Sequence, residues 1–457
     1  MARATHVSAF RALRLMASLT SVILLLSACS APAAPAPAKP TEAPKPAAPV
    51  ASPTAAPAAS PAASPAASPA AQAPAAVAKA SGPAPATIKI GAVVPTTGRY
   101  AAGGEQIKNG YELAIEAVNN NGGILVKEFD KKIPIELKLL DDESDATKTV
   151  QRLETLNSSE QVLAYLGGFG SDLHAAAAAI ADKNKTPYLG VAFALQQVHD
   201  RGLKYLFSPF PKSPSLAKSS FDMMDSLSPK PTKLALFIEK TDWGNELREL
   251  WKKEAQARGY TIVADEEYAP GSKDFAQMIL KAKSGAAEAV LALPNPPDGI
   301  AIAKQMKELD LNARFYYFLR AADTLSWGQG LAKDGDFFVN APGWSPDFKA
   351  AGVDDLKQRH QAKYNKSAEA VTGPAYACVQ ILANAIERAG RLDRDAIRDA
   401  IAATDMATVM GSVKFNTDGT GQVVTVANQW QGGKQVLVWP KDQATAPLQP
   451  AKTWRER

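Results

Sequence analysis

The 457-residue sequence predicts an α/β protein of two lobes behind an unfolded N-terminal tether, and three observations carry that reading. Composition breaks near residue 87. Positions 30–86 hold 26 Ala and 15 Pro among 57 residues, with no Leu, Ile or aromatic side chain. Such a stretch cannot bury enough apolar area to offset ordering its chain, so it reads as an extended, solvated tether. From Thr87 onward, apolar runs of strand length alternate with segments of helical period, and the alternation restarts near Leu234. Finally, the 371 residues that remain after the first 86 exceed what one hydrophobic core usually supports.

The elements follow in order. Ile88–Val94 is a buried-strand signal closed by Pro95 and Gly98, and Ile107, Tyr111, Ala114, Ile115 and Val118 share one helical face that Gly122-Gly123 stops. Ile133–Leu140 reads as a second strand. Asp145 is placed to cap a helix carrying Val150, Leu153 and Leu156. A third strand (Val162–Gly168), a third helix (Ser171–Lys185) and a fourth strand (Pro187–Val191) complete the first run. The second run has strands at Leu234–Ile238, Tyr260–Val263, Ala289–Leu293 and Phe315–Leu319. Its helices lie at Trp243–Arg258, Phe275–Lys283 and Ile300–Leu309. Strands separated by helices of this length imply parallel sheets with right-handed crossovers, one per lobe. The last third predicts helices at Asp354–Tyr364, Tyr376–Ala389 and Arg394–Ala403. A hairpin of Val423–Gln429 and Lys434–Val438 follows, turning at Gly432-Gly433.

Charge excludes one class of partner. The formal net charge is +5, but Arg3, Arg11, Arg14, Lys39, Lys45 and Lys79 precede residue 87, against Glu42 alone. Setting these aside leaves 45 basic and 45 acidic residues in the body, so no positive field remains to hold a nucleic acid.

The N-terminus points to the cell envelope. Three arginines precede an apolar run from Leu15 to Ala28, too short for the roughly 20 residues of a membrane-spanning helix but right for a secretory signal. The run ends in Leu26-Ser27-Ala28-Cys29, which resembles the bacterial lipobox. That resemblance implies cleavage before Cys29 and lipid attachment through its sulfur. An ordinary signal with an incidental cysteine is the alternative, but the tether begins directly after Cys29, as a lipoprotein spacer would. Fully extended as polyproline II at roughly 3.1 Å per residue, the tether would reach about 175 Å. With Cys29 lipidated, Cys378 has no partner for a disulfide. Its apolar helical neighbours Tyr376, Val379, Leu382 and Ile386 make it a small buried hydrophobe.

A search for catalytic chemistry finds none. The four histidines, His6, His174, His199 and His360, are far apart, and neither a zinc spacing nor a Cys-x-x-Cys pair is present. No G-x-S-x-G elbow or phosphate loop occurs. Gly168-Phe169-Gly170-Ser171 begins like a dinucleotide fingerprint but has Leu173 where the third glycine belongs. Asp141, Asp142, Glu143 and Asp145 read as a solvated turn with a helix cap rather than a cation site. No metal and no cofactor are expected.

Two segments carry a family resemblance: IKIGAVVPTTGRYAAGGEQIKNGYELAIEAVNNNGGI from Ile88 and DDESDATKTVQRLETLNSSEQVLAYLGGFGS from Asp141. They resemble periplasmic branched-chain amino-acid-binding proteins, the type I substrate-binding components of ABC importers, and weaker echoes run in the family's order to about residue 440. The resemblance implies lobe one from 87–209 and 343–410, lobe two from 210–342 and 411–440, and a tail at 441–457. The crossings would fall near Ser208–Pro211, Asn340–Gly343 and Met410–Ser412. Ligand would sit between the lobes, where helix N-termini offer free N–H groups to a carboxylate. Closure around it would make the shape that the permease recognises.

By the same resemblance, Ser171 meets the ligand carboxylate, Ala192 contributes backbone and Trp243 covers the ligand from lobe two. Ser171 is also placed to cap its helix, and Trp243 lies in a strand-to-helix loop. Tyr100, Asp172 and His174 fall near the cleft mouth. Gly103 and Asn295 stand where relatives carry aromatic residues, and Ala194 where a hydroxyl helps hold an α-amino group. The acid expected to meet a ligand ammonium aligns with Leu319 or Arg320. An unpaired ammonium in a closed cleft costs several kcal/mol. Either the alignment slips by a few residues or the ligand is not an amino acid. Trp243, Phe193 and Arg320 favour the second, with Arg320 as a bidentate partner of an organic carboxylate. The expected function is a lipid-anchored, monomeric extracytoplasmic receptor. It would pass a small polar ligand, an amino acid or a related amide or carboxylate, to a branched-chain-type ABC permease. A ligand-sensing module of the same fold and an envelope hydrolase are the alternatives.

Overall fold

The computed structural model describes residues 78–457, so the signal, Cys29 and most of the tether lie outside the described residues. In lobe one, β1 (Ile88–Val94) leads to α1 (Ala101–Asn120), a hairpin of β2 (Ile124–Val126) and β3 (Lys131–Ile133), and β4 (Ile135–Asp141). Then come α2 (Ala146–Ser158), β5 (Ala164–Leu166), α3 (Ser171–Lys183), β6 (Tyr188–Leu189) and β7 (Leu206–Phe207). The strands form a parallel sheet in the order β4-β1-β5-β6-β7. Pro134 divides what the sequence suggests is one strand, because proline has no N–H for the ladder. Asp145 caps α2 as expected, accepting from the Lys148 N–H at 2.9 Å.

Lobe two contains α4 (Ser213–Asp225), β8 (Lys233–Glu239), α5 (Asp242–Arg258), β9 (Thr261–Tyr268), α6 (Ala276–Ser284) and β10 (Ala289–Ala292). It continues through α7 (Pro296–Glu308), β11 (Phe315–Phe318), α8 (Leu325–Leu331) and β12 (Phe338–Asn340). The chain then returns to lobe one for α9 (Val353–Tyr364), α10 (Thr372–Ala389), which packs along α1, and α11 (Arg394–Ala402). A small sheet of β13 (Asp405–Thr408), β14 (Gly411–Phe415) and β15 (Gly421–Gln422) follows, then the hairpin of β16 (Ala427–Gln431) and β17 (Lys434–Trp439). The second sheet runs β17-β16-β12-β11-β10-β8-β9, parallel except for the hairpin. Its central strands are buried on both faces. Leu234, Leu236, Ile238, Leu291 and Tyr317 enter one core, while Ala235, Phe237, Val290, Tyr316 and Phe318 enter another. That double burial explains why these strands read as unbroken apolar runs.

Two expected boundaries move. The third crossing lies after Gly421, not at Met410–Ser412. Ser208 N–H donates to Gly419 O, and Gly421 N–H to Ser208 O, each at 2.9 Å, so backbone hydrogen bonds keep residues 411–422 beside β7 of lobe one. The end of the tether is also fixed: Ala80 N–H donates to Glu128 O at 2.9 Å and Ala84 packs on the lobe-one core. The C-terminal tail folds back on lobe two. Trp454 is buried, its Nε1–H donating to Leu311 O at 2.7 Å, and the Arg457 guanidinium stacks on the indole 3.8 Å from its centroid. Cys378 is buried in α10 as expected. No helix among the described residues is long and apolar enough to cross a membrane.

Candidate ligand-binding cleft

The cleft opens where β5 meets α3. Gly167 to Gly170 bring the chain off the strand, and Gly170, at φ +108°, adopts a backbone that a side chain would strain. Gly170, not Ser171, is the N-cap, and Ser171 is the first helical residue. The first-turn N–H groups of such a helix have no partner within it, and together they form a site for an anion. Ser171 Oγ accepts from Ala194 N–H at 3.4 Å. Ala192 O accepts from Gly170 N–H at 3.2 Å, and Ala192 itself sits at φ +51°. Ala194 O accepts from the N–H and the hydroxyl of Ser213, so α4 of lobe two is tied to the same segment.

Around this anchor lies a narrow cavity between the lobes. Ser171, Ala192 and Ala194 line it from lobe one, with Phe169 and Phe193. Trp243, Leu319, Arg320 and Asp323 line it from lobe two. Trp243 is the second residue of α5, capped by Thr241, rather than a loop residue, and its indole N–H donates to Ser213 Oγ at 3.1 Å. Its ring thus forms a fixed apolar wall.

The Arg320 guanidinium is not free for a ligand carboxylate. It pairs with Glu239 at the end of β8, donates to Leu293 O at 2.9 Å and to Tyr100 Oη at 3.1 Å, and stacks between Trp243 and Tyr100. Arg320 is 5% and Glu239 0% exposed, so charge matching, not solvent, sustains both ions. The neighbouring Glu239 carboxylate helps hold the Arg320 pKa above its ordinary value despite the lowering effect of burial. Asn295 lies behind this pair instead of lining the cavity. Its amide donates to Glu239 at 3.1 Å and to Asp298 at 2.7 Å, and its oxygen caps α7. Tyr100 likewise sits behind the wall, donating to Asp172 at 3.1 Å, while Asp172 takes Arg99 at 2.5 Å. His174 is not at the mouth. It is buried and stacked on Phe193, whose ring stacks on His199 in turn, and burial lowers both imidazoles to about 3.

Sequence reasoning missed Asp323. This carboxyl lines the cavity, is 5% exposed, and its Oδ1 has no hydrogen-bond partner. Burial pushes it up to about 7, against the lowering pull of Arg320. The only signal in the sequence was an acid three residues beyond the position where one was sought. Sequence reasoning also missed Lys212, buried at the first crossing, whose Nζ donates to Phe193 O at 2.9 Å and Ser208 Oγ at 2.8 Å; burial holds its pKa well below the ordinary lysine value.

Two lobes of parallel sheet, three crossings and an interlobe cavity with a helix N-terminus on one wall define a two-lobed solute-binding protein. The chain belongs to the periplasmic binding protein family, whose model matches residues 87–434, a family of binding proteins rather than enzymes. It is 26% identical over 386 residues to the Leu/Ile/Val-binding protein homolog 8 of Brucella abortus (strain 2308), covering 79% of this chain and 93% of that protein. Among solved structures it resembles the branched-chain amino acid transporter substrate-binding protein LivJ of Streptococcus pneumoniae in complex with isoleucine. That match has a TM-score of 0.69 at 23% identity, over 78% of this chain and all of that one. An ABC-transporter solute-binding protein of R. palustris in complex with benzoate matches with a TM-score of 0.69 at 19% identity, over 80% and 98% of the two chains.

Proposed function

We propose that this protein is an extracytoplasmic solute receptor for a small amino acid with an apolar side chain, passed on to an ABC permease of the branched-chain type. The observation that carries this reading is the buried, unpartnered Asp323 carboxyl in the same cavity as the open first turn of α3. A carboxylate at the helix N-terminus beside Ser171 and an ammonium at Asp323 would each meet the opposite charge, with Trp243, Phe193 and Leu319 around the side chain. Asp323 thus supplies, a few residues downstream, the acid that Leu319 and Arg320 do not. The Leu/Ile/Val-binding homologue and the isoleucine complex support this class.

A second reading has its own observation. A carboxyl raised to about 7 is protonated below that pH and could donate to a carboxylate with no amine; the R. palustris protein was solved in complex with such a ligand, benzoate. A thermal-shift panel of Leu, Ile, Val, aliphatic acids and benzoate separates the two. A ligand at 100 times its dissociation constant adds about 2.7 kcal/mol to the folded state. Stabilisation by Leu, Ile or Val is expected, and stabilisation only by acids lacking an amine would overturn the first reading.

Lipid anchoring through Cys29 rests on the lipobox resemblance and the tether that follows it. With Cys29→Ser, the protein is expected to leave the membrane fraction. A variant that fractionates like the wild type would contradict the anchor.

A further inference from the structure

Phe169 and Gly103 meet in a contact that ligand anchoring does not require. Phe169 is buried between two glycines in the turn before α3, and its ring lines the cavity. Behind the ring lies Gly103 of α1. A Cβ at position 103 would stand 2.6 Å from Cε2 and 2.7 Å from Cγ of Phe169, closer than carbon atoms approach without one of them moving. The ring therefore reaches its place only because residue 103 has no side chain. Tyr100 packs on it as well, with centroids 5.8 Å apart, and an added Cβ at Gly170 would meet the Tyr100 ring at 2.8 Å. The turn can thus shift little to either side. Phe169 fills a recess between α1 and the cavity, and its volume is subtracted from what a ligand can occupy.

We propose that Phe169, seated on Gly103, is a specificity-determining residue that limits the size of the ligand side chain. This rests on the amino-acid reading of the same cavity. Truncating the ring joins the recess to the cavity and admits larger side chains. Adding a methyl at position 103 drives the ring inward and excludes those now accepted. Because both changes act through one ring, they are not additive.

The test is calorimetric binding of valine, isoleucine, phenylalanine, benzoate and phenylpropionate to the wild type, Phe169→Ala, Phe169→Leu, Gly103→Ala and the Gly103→Ala/Phe169→Ala double variant. Phe169→Ala should raise the phenylalanine-to-isoleucine affinity ratio at least tenfold, with Phe169→Leu between it and the wild type. Gly103→Ala should weaken isoleucine at least tenfold, and adding Phe169→Ala should recover most of that loss. A uniform loss across the panel, with unchanged ratios, would overturn the inference and leave the ligand class standing. A wild type that binds neither valine nor isoleucine would overturn the ligand class and the inference with it.

Discussion

Asp323→Asn is expected to weaken binding of a branched-chain amino acid at least thirtyfold while leaving the unliganded protein folded. Removing one partner of a desolvated charge pair costs about 2–5 kcal/mol, roughly thirtyfold to several thousandfold in Kd. Asparagine keeps the shape and one acceptor, which places it at the lower end. The effect on folding has the opposite sign. The Asp323 carboxyl is raised from its ordinary value of 3.8 to about 7, so between those values the folded state holds a proton that the unfolded chain does not. Stability contributed by that proton is lost as pH rises from the unfolded pKa through about 7. Asparagine does not ionise, so above pH 7 the variant should melt no lower than the wild type. A variant that loses ligand and stability together would make Asp323 a structural residue.

Glu239→Ala is expected to produce the largest loss of stability. It leaves the Arg320 guanidinium buried without its carboxylate and deprives Asn295 of an acceptor. Breaking a buried pair from one side costs about 3–5 kcal/mol, whereas replacing both charges by apolar groups of similar volume can be neutral. Chemical denaturation should therefore show Glu239→Ala far below the wild type. The Glu239→Leu/Arg320→Met double variant should recover much of the loss. Binding of ligand by the double variant is the second readout, because Arg320 acts by holding Tyr100 and Trp243 in place and not by meeting the ligand. Weakened but measurable binding is expected, and complete loss of binding in a folded double variant would mean that Arg320 itself meets the ligand.

What the sequence made legible follows from how local the determining physics is. The strand and helix alternation of both lobes is a property of side-chain period, and Asp145 and the Gly432-Gly433 turn act within a few residues of themselves. The third crossing is not legible locally because Ser208 N–H donates to Gly419 O and Gly421 N–H to Ser208 O, more than 200 positions apart, and these bonds hold that segment to lobe one. Arg320 was read as a ligand partner because its own partner, Glu239, lies 81 residues earlier on a different strand. Asn295, Tyr100 and His174 were drawn toward the cleft for the same reason: position along the chain places them near it, but their hydrogen-bond and stacking partners turn them behind its wall. Asp323 is not singled out by the sequence because nothing local marks a carboxyl that the fold buries. In the fold the guanidinium is taken by Glu239, and Oδ1 of the aspartate is left without a hydrogen bond.

The central claim is that Asp323 receives the ligand's amine, and proton linkage tests it most directly. At pH 6 a carboxyl with a pKa of about 7 is roughly nine-tenths protonated, and at pH 8 roughly nine-tenths ionised. Pairing with an ammonium lowers that pKa and expels the proton. Calorimetric titration of the wild type with isoleucine, in two buffers of different ionisation enthalpy, should therefore show release of about one proton at pH 6 and almost none at pH 8. Affinity should rise about tenfold between them. Proton uptake at pH 8, with affinity falling as pH rises, would mean that the carboxyl binds as a neutral donor and would contradict the account.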